Sequence, residues 1–345
     1  MDMRPLGRSN IQVSAVCLGT MNWGSFNSRD EGFAQMDYAL SRGVSFWDAA
    51  EMYPAPPTEA TFGRTEEIIG EWLASRGGRD RIVLATKVVG AGPRFPFLRG
   101  GDVRLDRRNI EAAIDASLRR LKTDYVDLYQ LHWPDRTTNN FGQLGFSPQD
   151  DEAATPLAET LEVLSDLVKG GKVREVGVSN ETPWGVMTLL ALAEKGVGPR
   201  IVSIQNPYSL VNRSFEVGLA EISLREQVSL LAYAPLAGGA LSGKYLYGRR
   251  PEGARYSVPN NPRYIRREGE VPIARYVALA HQHGLDPAVL AHAFVYGRPF
   301  LTSSIVGATS IAQLKTAIDA AEVTLDADCL QAIESIHADA SNPCP

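Results

Sequence analysis

Tyr125-Val-Asp-Leu-Tyr-Gln-Leu-His132 is a short, mostly apolar run that closes on a polar, chemically competent side chain. Two other stretches repeat the design. Ser45-Phe-Trp-Asp-Ala-Ala-Glu-Met-Tyr53 carries Asp48 and Tyr53, and Ile82-Val-Leu-Ala-Thr-Lys87 closes on Lys87. Continuous apolar runs of this length suit strands covered on both faces, as in a parallel sheet. A polar residue at the end of such a strand leaves the buried sheet and faces whatever sits at its carboxyl end.

Similar runs recur along the chain. Strand candidates are residues 16–18, 45–48, 82–87, 125–131, 173–178, 201–205, 229–233 and 304–306. Between them lie amphipathic segments. Ile110, Ala113, Ile114, Ser117, Leu118 and Leu121 recur at helical spacing, as do Leu157, Leu161, Leu164 and Val168, and Thr65, Ile68, Ile69 and Trp72. Gly43, Gly170, Gly171 and Gly196 punctuate helix ends.

Such alternation predicts an α/β fold with a parallel sheet and crossover helices. Eight units predict closure into a (β/α)8 TIM barrel rather than an open, doubly wound sheet. The open fold usually carries G-x-G-x-x-G after its first strand; here Leu18-Gly-Thr-Met-Asn-Trp23 stands instead. The 345 residues fit one barrel domain spanning 1–345. An N-terminal hairpin is expected over residues 1–15, as a plug at the barrel's bottom. Two extra helices, 311–321 and 326–337, are expected after the last strand. Long loops at 90–108, 134–155 and 247–271 follow strand carboxyl ends, the face on which barrel sites are built.

Composition narrows the function. The chain is 44% hydrophobic and 22% charged, and 35 basic against 40 acidic residues leave a net charge of −5. No global basic field calls for nucleic acid. Cys17, Cys329 and Cys344 are too few and too scattered for a disulfide framework or a zinc site. No apolar stretch reaches the roughly 18 residues of a membrane span. Met1-Asp-Met-Arg-Pro-Leu-Gly-Arg-Ser-Asn10 has no apolar signal core, so a cytoplasmic location is expected.

The four polar residues suggest proton transfer. The Tyr53 phenol, with an ordinary pKa of about 10, exchanges protons slowly at neutral pH unless an ammonium favours its anion. Lys87 could be that ammonium, Asp48 the anion that keeps it charged, and His132 either an orienting group for a substrate oxygen or part of a relay. Reduction of a carbonyl needs such a donor, because its oxygen gains negative charge. Metal hydrolysis needs more ligands than one histidine and one aspartate supply. Taken singly, each residue has a plainer reading: a tyrosine before proline is usually surface packing, a strand-ending lysine usually a solvated charge, a His-Trp-Pro usually a turn. On successive strands of one barrel, the joint reading prevails.

Together these stretches, with Gly177-Val-Ser-Asn180, Ile204-Gln-Asn-Pro-Tyr208 and Leu236-Ala-Gly-Gly-Ala-Leu-Ser-Gly-Lys-Tyr245, resemble the aldo-keto reductase superfamily. The similarity runs from Leu6 to Lys315. It implies a barrel that binds NADPH, with NADH as an alternative, and reduces a small-molecule carbonyl. It implies a catalytic tetrad of Asp48, Tyr53, Lys87 and His132, with Tyr53 as general acid, its pKa lowered by Asp48 and Lys87, and His132 orienting the carbonyl. Ser179, Asn180 and Gln205 match residues that hold the nicotinamide carboxamide, and Tyr233 matches the aromatic that stacks on its ring. Thr20 and Met21 are further expected cofactor contacts. Pro235, Leu236, Ala237, Gly239, Leu241, Gly243 and Lys244 match the loop folded over the pyrophosphate. Arg255 matches a 2′-phosphate contact, in a loop that also holds Arg249, Arg250, Arg263, Arg266 and Arg267. Gly307, Thr309, Ser310 and Gln313 match the adenosine side.

Two departures stand out. Thr316-Ala317 replaces a Glu-Asn pair common in relatives, removing an amide contact to adenine and a carboxylate latch. Gln313 stands where many relatives have a basic residue. Weaker cofactor affinity and a less secure preference for NADPH are expected. Trp23 and Trp133 are the expected substrate contacts, with Phe141 and Tyr208 as further walls of a mostly apolar pocket. Potassium-channel β subunits share the fold and bind NADPH while acting on a partner, which gives a regulatory module as the alternative function. A third reading is a barrel isomerase or hydrolase using Asp48 and His132 alone; it leaves the Ser179, Asn180, Gln205 and Tyr233 set unexplained. Barrels of this family occur as monomers and as assemblies.

Overall fold

The computed structural model describes residues 1–92, 95–139, 141–147, 154–257 and 263–345. Parts of the three long loops, at 93–94, 140, 148–153 and 258–262, lie outside the described residues. Eight parallel strands close into a barrel in chain order: β3 (Val16–Gly19), β4 (Phe46–Asp48), β5 (Val83–Val88), β6 (Val126–Leu131), β7 (Val173–Ser179), β8 (Ser203–Pro207), β9 (Ser229–Tyr233) and β10 (Leu301–Gly307), the last pairing back onto β3. The expected TIM barrel is therefore the fold, and every expected strand is present. The largest boundary difference is in β10, expected as 304–306. Two of its added residues bear hydroxyls, and both find partners: Thr302 Oγ1 donates to Ser229 Oγ (2.7 Å) and Ser303 Oγ to the Ser14 carbonyl (2.7 Å). Polar side chains satisfied this way do not end a buried strand.

Helices surround the strands: α1 (Arg29–Ser41), α2 (Arg64–Arg76), α3 (Arg107–Leu121), α4 (Leu157–Lys169), α5 (Pro183–Glu194), α6 (Leu219–Glu226), α7 (Arg267–Gln282), α8 (Pro287–Tyr296), α9 (Ile311–Asp319) and α10 (Ala327–Asp339). Local sequence explains their starts. Ser28 and Glu31 form a capping box at α1, and Asp106, Ser310 and Asp326 cap α3, α9 and α10. In α3 the face of Ile110, Ala113, Ile114 and Leu121 is buried, as its spacing requires. Of the two helices after β10, α9 packs between α8 and α1, and α10 lies against α7. No helix among the described residues is long and apolar enough to cross a membrane.

The barrel interior is layered, and the layering places the site. Cys17, Phe46, Ala85, Leu128, Val202, Leu231 and Ile305 form one buried apolar cluster, together with Leu6, Ile11 and Val13 of the N-terminal hairpin. That hairpin, β1 (Met3–Pro5) antiparallel to β2 (Gln12–Ser14), plugs the barrel's amino-terminal end. Side chains two residues apart on a strand share a face. Two residues beyond Phe46, Ala85, Leu128 and Leu231 stand Asp48, Lys87, Gln130 and Tyr233. An apolar floor thus lies beneath a polar layer at the carboxyl ends.

Gly7 in the hairpin turn has φ +57°, and a Cβ there would stand 2.4 Å from the Val202 carbonyl oxygen. Its amide donates to Ser229 Oγ at 2.8 Å. Gly7→Ala is therefore expected to destabilise the fold by about 2–4 kcal/mol, combining left-handed strain and overpacking. Equilibrium urea unfolding measures it; an unchanged midpoint would show that the plug does not couple to the barrel.

Candidate active site

Lys87 is the centre of the polar layer. Its side chain is fully buried, and Nζ donates to Asp48 Oδ2 (2.6 Å), the Ala49 carbonyl (2.8 Å) and the Tyr53 hydroxyl (3.4 Å). The other oxygen, Asp48 Oδ1, accepts from Gln130 Nε2 (3.0 Å) and Gln205 Nε2 (2.9 Å), and Gln205 Nε2 also reaches Gln130 Oε1 (3.1 Å). The buried carboxylate is thus paired and hydrogen-bonded on both oxygens, which is what keeps a charge tolerable there. Gln130 was not read as a site residue from the sequence. The available signal was an amide in phase with His132 on β6.

Electrostatics follow from this packing. Burial pushes Lys87 down, but Asp48 and Tyr53 together raise its pKa above the ordinary lysine value, so it stays an ammonium. The expected lowering of Tyr53 is corrected. Burial raises the phenol's pKa, the Lys87 charge pulls it down, and Asp48, like-charged with a phenolate, pushes it up; the balance lies above 10.0. His132 meets the Tyr53 ring edge-on at 5.7 Å between centroids. Burial, then the Lys87 charge, holds its pKa well below 6.5, so it is neutral. Its Nδ1 is buried and has no hydrogen-bond partner among the described residues.

A second network runs across β7 and β9. Ser179 Oγ donates to the Gln205 carbonyl (2.8 Å), and Asn180 Nδ2 donates to Ser179 Oγ (3.1 Å) and the His132 carbonyl (2.9 Å). Tyr233 donates its hydroxyl hydrogen to Asn180 Oδ1 (2.7 Å) and accepts from Arg263 Nη1 (3.1 Å). Tyr233 is therefore held by its hydroxyl at the end of β9. Arg263, in sequence one of six loop arginines, packs back on the site and also donates to the Pro345 carbonyl (3.1 Å). A cavity of about 300 Å³ opens beside Asn180, lined also by Phe141, Asn206, Pro207 and Arg263.

The remaining expected contacts fall into two groups. Around β9, Pro235 and Leu236 lead into a tight turn over Ala237–Ser242, where Gly238, Gly239 and Gly243 have φ of 62°, 92° and 78°. Gly239, at φ 92°, takes a conformation that residues with a Cβ adopt only under strain, and the turn brings it against the Lys244 side chain. Lys244 is half-buried, burial lowers its pKa, and no carboxylate pairs with it among the described residues. Arg255 lies 5.8 Å from the Tyr256 ring and likewise has no carboxylate partner among the described residues. At the other edge, Gly307 ends β10, Ser310 caps α9, and Gln313 folds back to accept from Thr309 N (3.0 Å) and Oγ1 (3.2 Å). Ala317 is buried under Tyr296, whose hydroxyl donates to its carbonyl (3.1 Å). Thr20 is committed to the Asp48 carbonyl (2.8 Å), and Met21 packs on the cluster containing Tyr53.

A dinucleotide phosphate fits this donor set. An unpaired, half-buried ammonium beside a glycine turn suits a pyrophosphate, and a capped helix start suits an anion. Of the substrate contacts, Trp133 lies 4.9 Å from His132 between ring centroids and 5.8 Å from Phe141. Trp23 is corrected: it is fully buried, donates to Gln35 Oε1 (3.1 Å), and packs under α1 rather than in the cleft. Tyr208 is also fully buried, stacked on Phe294 and bonded to Glu216. Both are bulky aromatics at loop roots, where they serve as packing anchors.

Removing one partner of a buried pair leaves an uncompensated charge. Asp48→Asn is expected to cost about 3–5 kcal/mol of stability through the stranded Lys87. A paired Asp48→Asn/Lys87→Met variant should recover part of that loss in chemical denaturation. Equal losses in both variants would refute the pairing energetics.

Residues 15–338 match the model of the aldo/keto reductase family. Over the full length of both chains, the protein is 48% identical to Protein tas of Escherichia coli strain K12. It is 33% identical to the uncharacterized oxidoreductase YrpG of Bacillus subtilis strain 168, covering 97% of this chain and 96% of that one. It is 29% identical to a probable voltage-gated potassium channel subunit beta of Arabidopsis thaliana, covering 94% and 92%. With an Asp-Lys-Tyr-His cluster at the mouth of a closed barrel, the chain belongs to the aldo/keto reductase family and is an NAD(P)H-dependent oxidoreductase.

Proposed function

We propose that the protein, acting as a single domain, reduces small-molecule aldehydes or ketones to alcohols, with NADPH as reductant and Tyr53 as proton donor. The observation that carries this is the 3.4 Å contact between the Tyr53 hydroxyl and an ammonium locked onto Asp48. Bound NADPH supplies the hydride. As the carbonyl oxygen gains charge, Tyr53 gives up its proton, and Lys87 stabilises the phenolate left behind. Neutral His132, beside the Tyr53 ring, orients the carbonyl oxygen without competing for the proton. Trp133 and Phe141 supply apolar walls.

On the cofactor side, Tyr233 presents its ring to the nicotinamide, with Ser179, Asn180 and Gln205 around the carboxamide. The 235–244 turn and Lys244 serve the pyrophosphate, Arg255 the 2′-phosphate, and Gly307, Thr309, Ser310 and Gln313 the adenosine. Thr20 and Met21 close the inner edge. NADH serves as a weaker alternative. The similarity to a probable potassium-channel β subunit supports a second reading, a regulatory module that binds NADPH without turnover. A broad panel of carbonyls separates the two.

With this mechanism, Tyr53→Phe lowers kcat by about 10²–10⁴-fold while leaving NADPH binding nearly intact. Full activity in that variant would sink the assignment. Because the acid form of Tyr53 is needed and burial raises its pKa above the ordinary tyrosine value, kcat/KM should stay flat through neutral and mildly alkaline pH and fall only above the ordinary tyrosine range. An alkaline limb near neutrality would point to a different donor. Lys244→Ala should weaken NADPH by about 10–100-fold, the worth of a charge-assisted contact. Fluorescence titration reads this, and unaltered affinity would remove Lys244 from the cofactor site.

A further inference from the structure

Two residues before the proton donor stands a buried acid that the mechanism does not use. Glu51 is 2% exposed. Its carboxylate is gripped by the fork of Arg99: Nη1 donates to Oε2 at 2.5 Å and Nη2 to Oε1 at 3.0 Å. The same Oε1 accepts from the Val89 amide (2.9 Å), while the Glu51 amide donates to the Lys87 carbonyl (3.1 Å). Glu51 therefore holds the backbone at the carboxyl end of β5, at Lys87 itself and two residues beyond it. This keys the segment ending in Tyr53 to the strand that carries its ammonium.

Arg99 ties in a third element. Its Nε donates to Asn109 Oδ1 (2.8 Å) in the first turn of α3. Arg99, Gly100 and Gly101 have φ of 46°, 73° and 85°, a left-handed run that a residue with a Cβ adopts only at a cost. Around the pair, Phe95, Leu98 and Val103 pack with Met52, Tyr53 and Trp133. A bidentate guanidinium–carboxylate pair fixes both distance and angle, which apolar packing alone does not.

We propose that Glu51 and Arg99 are positioning residues for the proton donor: their ion pair pins the 95–103 loop to the segment bearing Tyr53 and sets the phenol's distance from Lys87. Its kinetic consequence rests on the reductase reading; its structural consequence does not. A displacement of about 1 Å at a reacting group costs on the order of 10²-fold in rate.

The test uses full-length Arg99→Gln, Arg99→Lys, Glu51→Gln and the Glu51→Gln/Arg99→Gln double variant. Amide hydrogen exchange is followed in peptides covering 50–54 and 95–103. Kinetics use NADPH and 4-nitrobenzaldehyde, with the isotope effect from 4-deuterated NADPH. In Arg99→Gln, exchange should rise in both segments together. Its kcat should fall about 10–100-fold with NADPH affinity unchanged and a larger isotope effect. Arg99→Lys should not restore kcat, since an ammonium lacks the fork. The double variant should be no worse than the worse single one. Exchange rising only in 95–103, or kcat falling only in step with cofactor affinity, would overturn the proposal. Should Arg99→Gln fail to fold, Arg99→Lys, which keeps the charge, decides by the same readouts. If the wild-type protein reduces no carbonyl, the reductase reading fails, and the exchange data alone still decide whether the clamp exists.

Discussion

The Lys87–Asp48 pair is the constraint on which the upper half of the barrel depends. Two charges removed from water are tolerable only when each is matched and the remaining lone pairs are filled. Gln130, Gln205, the Ala49 carbonyl and the Tyr53 hydroxyl fill them here. The partners come from β6, from β8 and from the segment after β4, so the pair fixes how β4, β5, β6 and β8 stand relative to one another. The same matching sets the chemistry. Held by Asp48, Lys87 stays an ammonium despite its burial, which is the state the proposed proton transfer would require of it.

Much of this was legible in the sequence, for a physical reason. Strands covered on both faces must be apolar, so an Asp, Lys or His at their ends is conspicuous against the background. The eight runs, the hairpin and the four-residue cluster all emerge from that contrast. Less visible were α5 and α8. Leu290 to Tyr296 of α8 is buried throughout, so it offers no polar face for periodicity to detect. Polar residues inside strands were discounted for the opposite reason. Gln130 and the Thr302 and Ser303 hydroxyls of β10 are satisfied by partners far away in sequence, and no local pattern announces such a partner.

Aromatic residues were the least informative. Trp23 and Trp133 each follow a strand end, and both looked suited to a pocket wall. Trp133 packs against His132, whereas the indole of Trp23 turns inward to Gln35 and the α1 side. The difference is made by the partner helix, not by the residue or its neighbours in the chain. The sign of the Tyr53 shift was likewise beyond sequence. It depends on how deeply the phenol is buried, and on Asp48 acting on the phenol as well as on the lysine.

The plugged amino-terminal end of the barrel has a consequence for traffic. Leu6, Ile11 and Val13 are buried with the apolar floor, so apolar side chains fill the barrel axis beneath Asp48 and Lys87 among the described residues. If Tyr53 is the donor proposed above, the proton that recharges it would reach it from the carboxyl-end face, the face that substrate and cofactor would also use. On that reading, product release and reprotonation would share one face of the barrel, so the two steps would be ordered rather than independent.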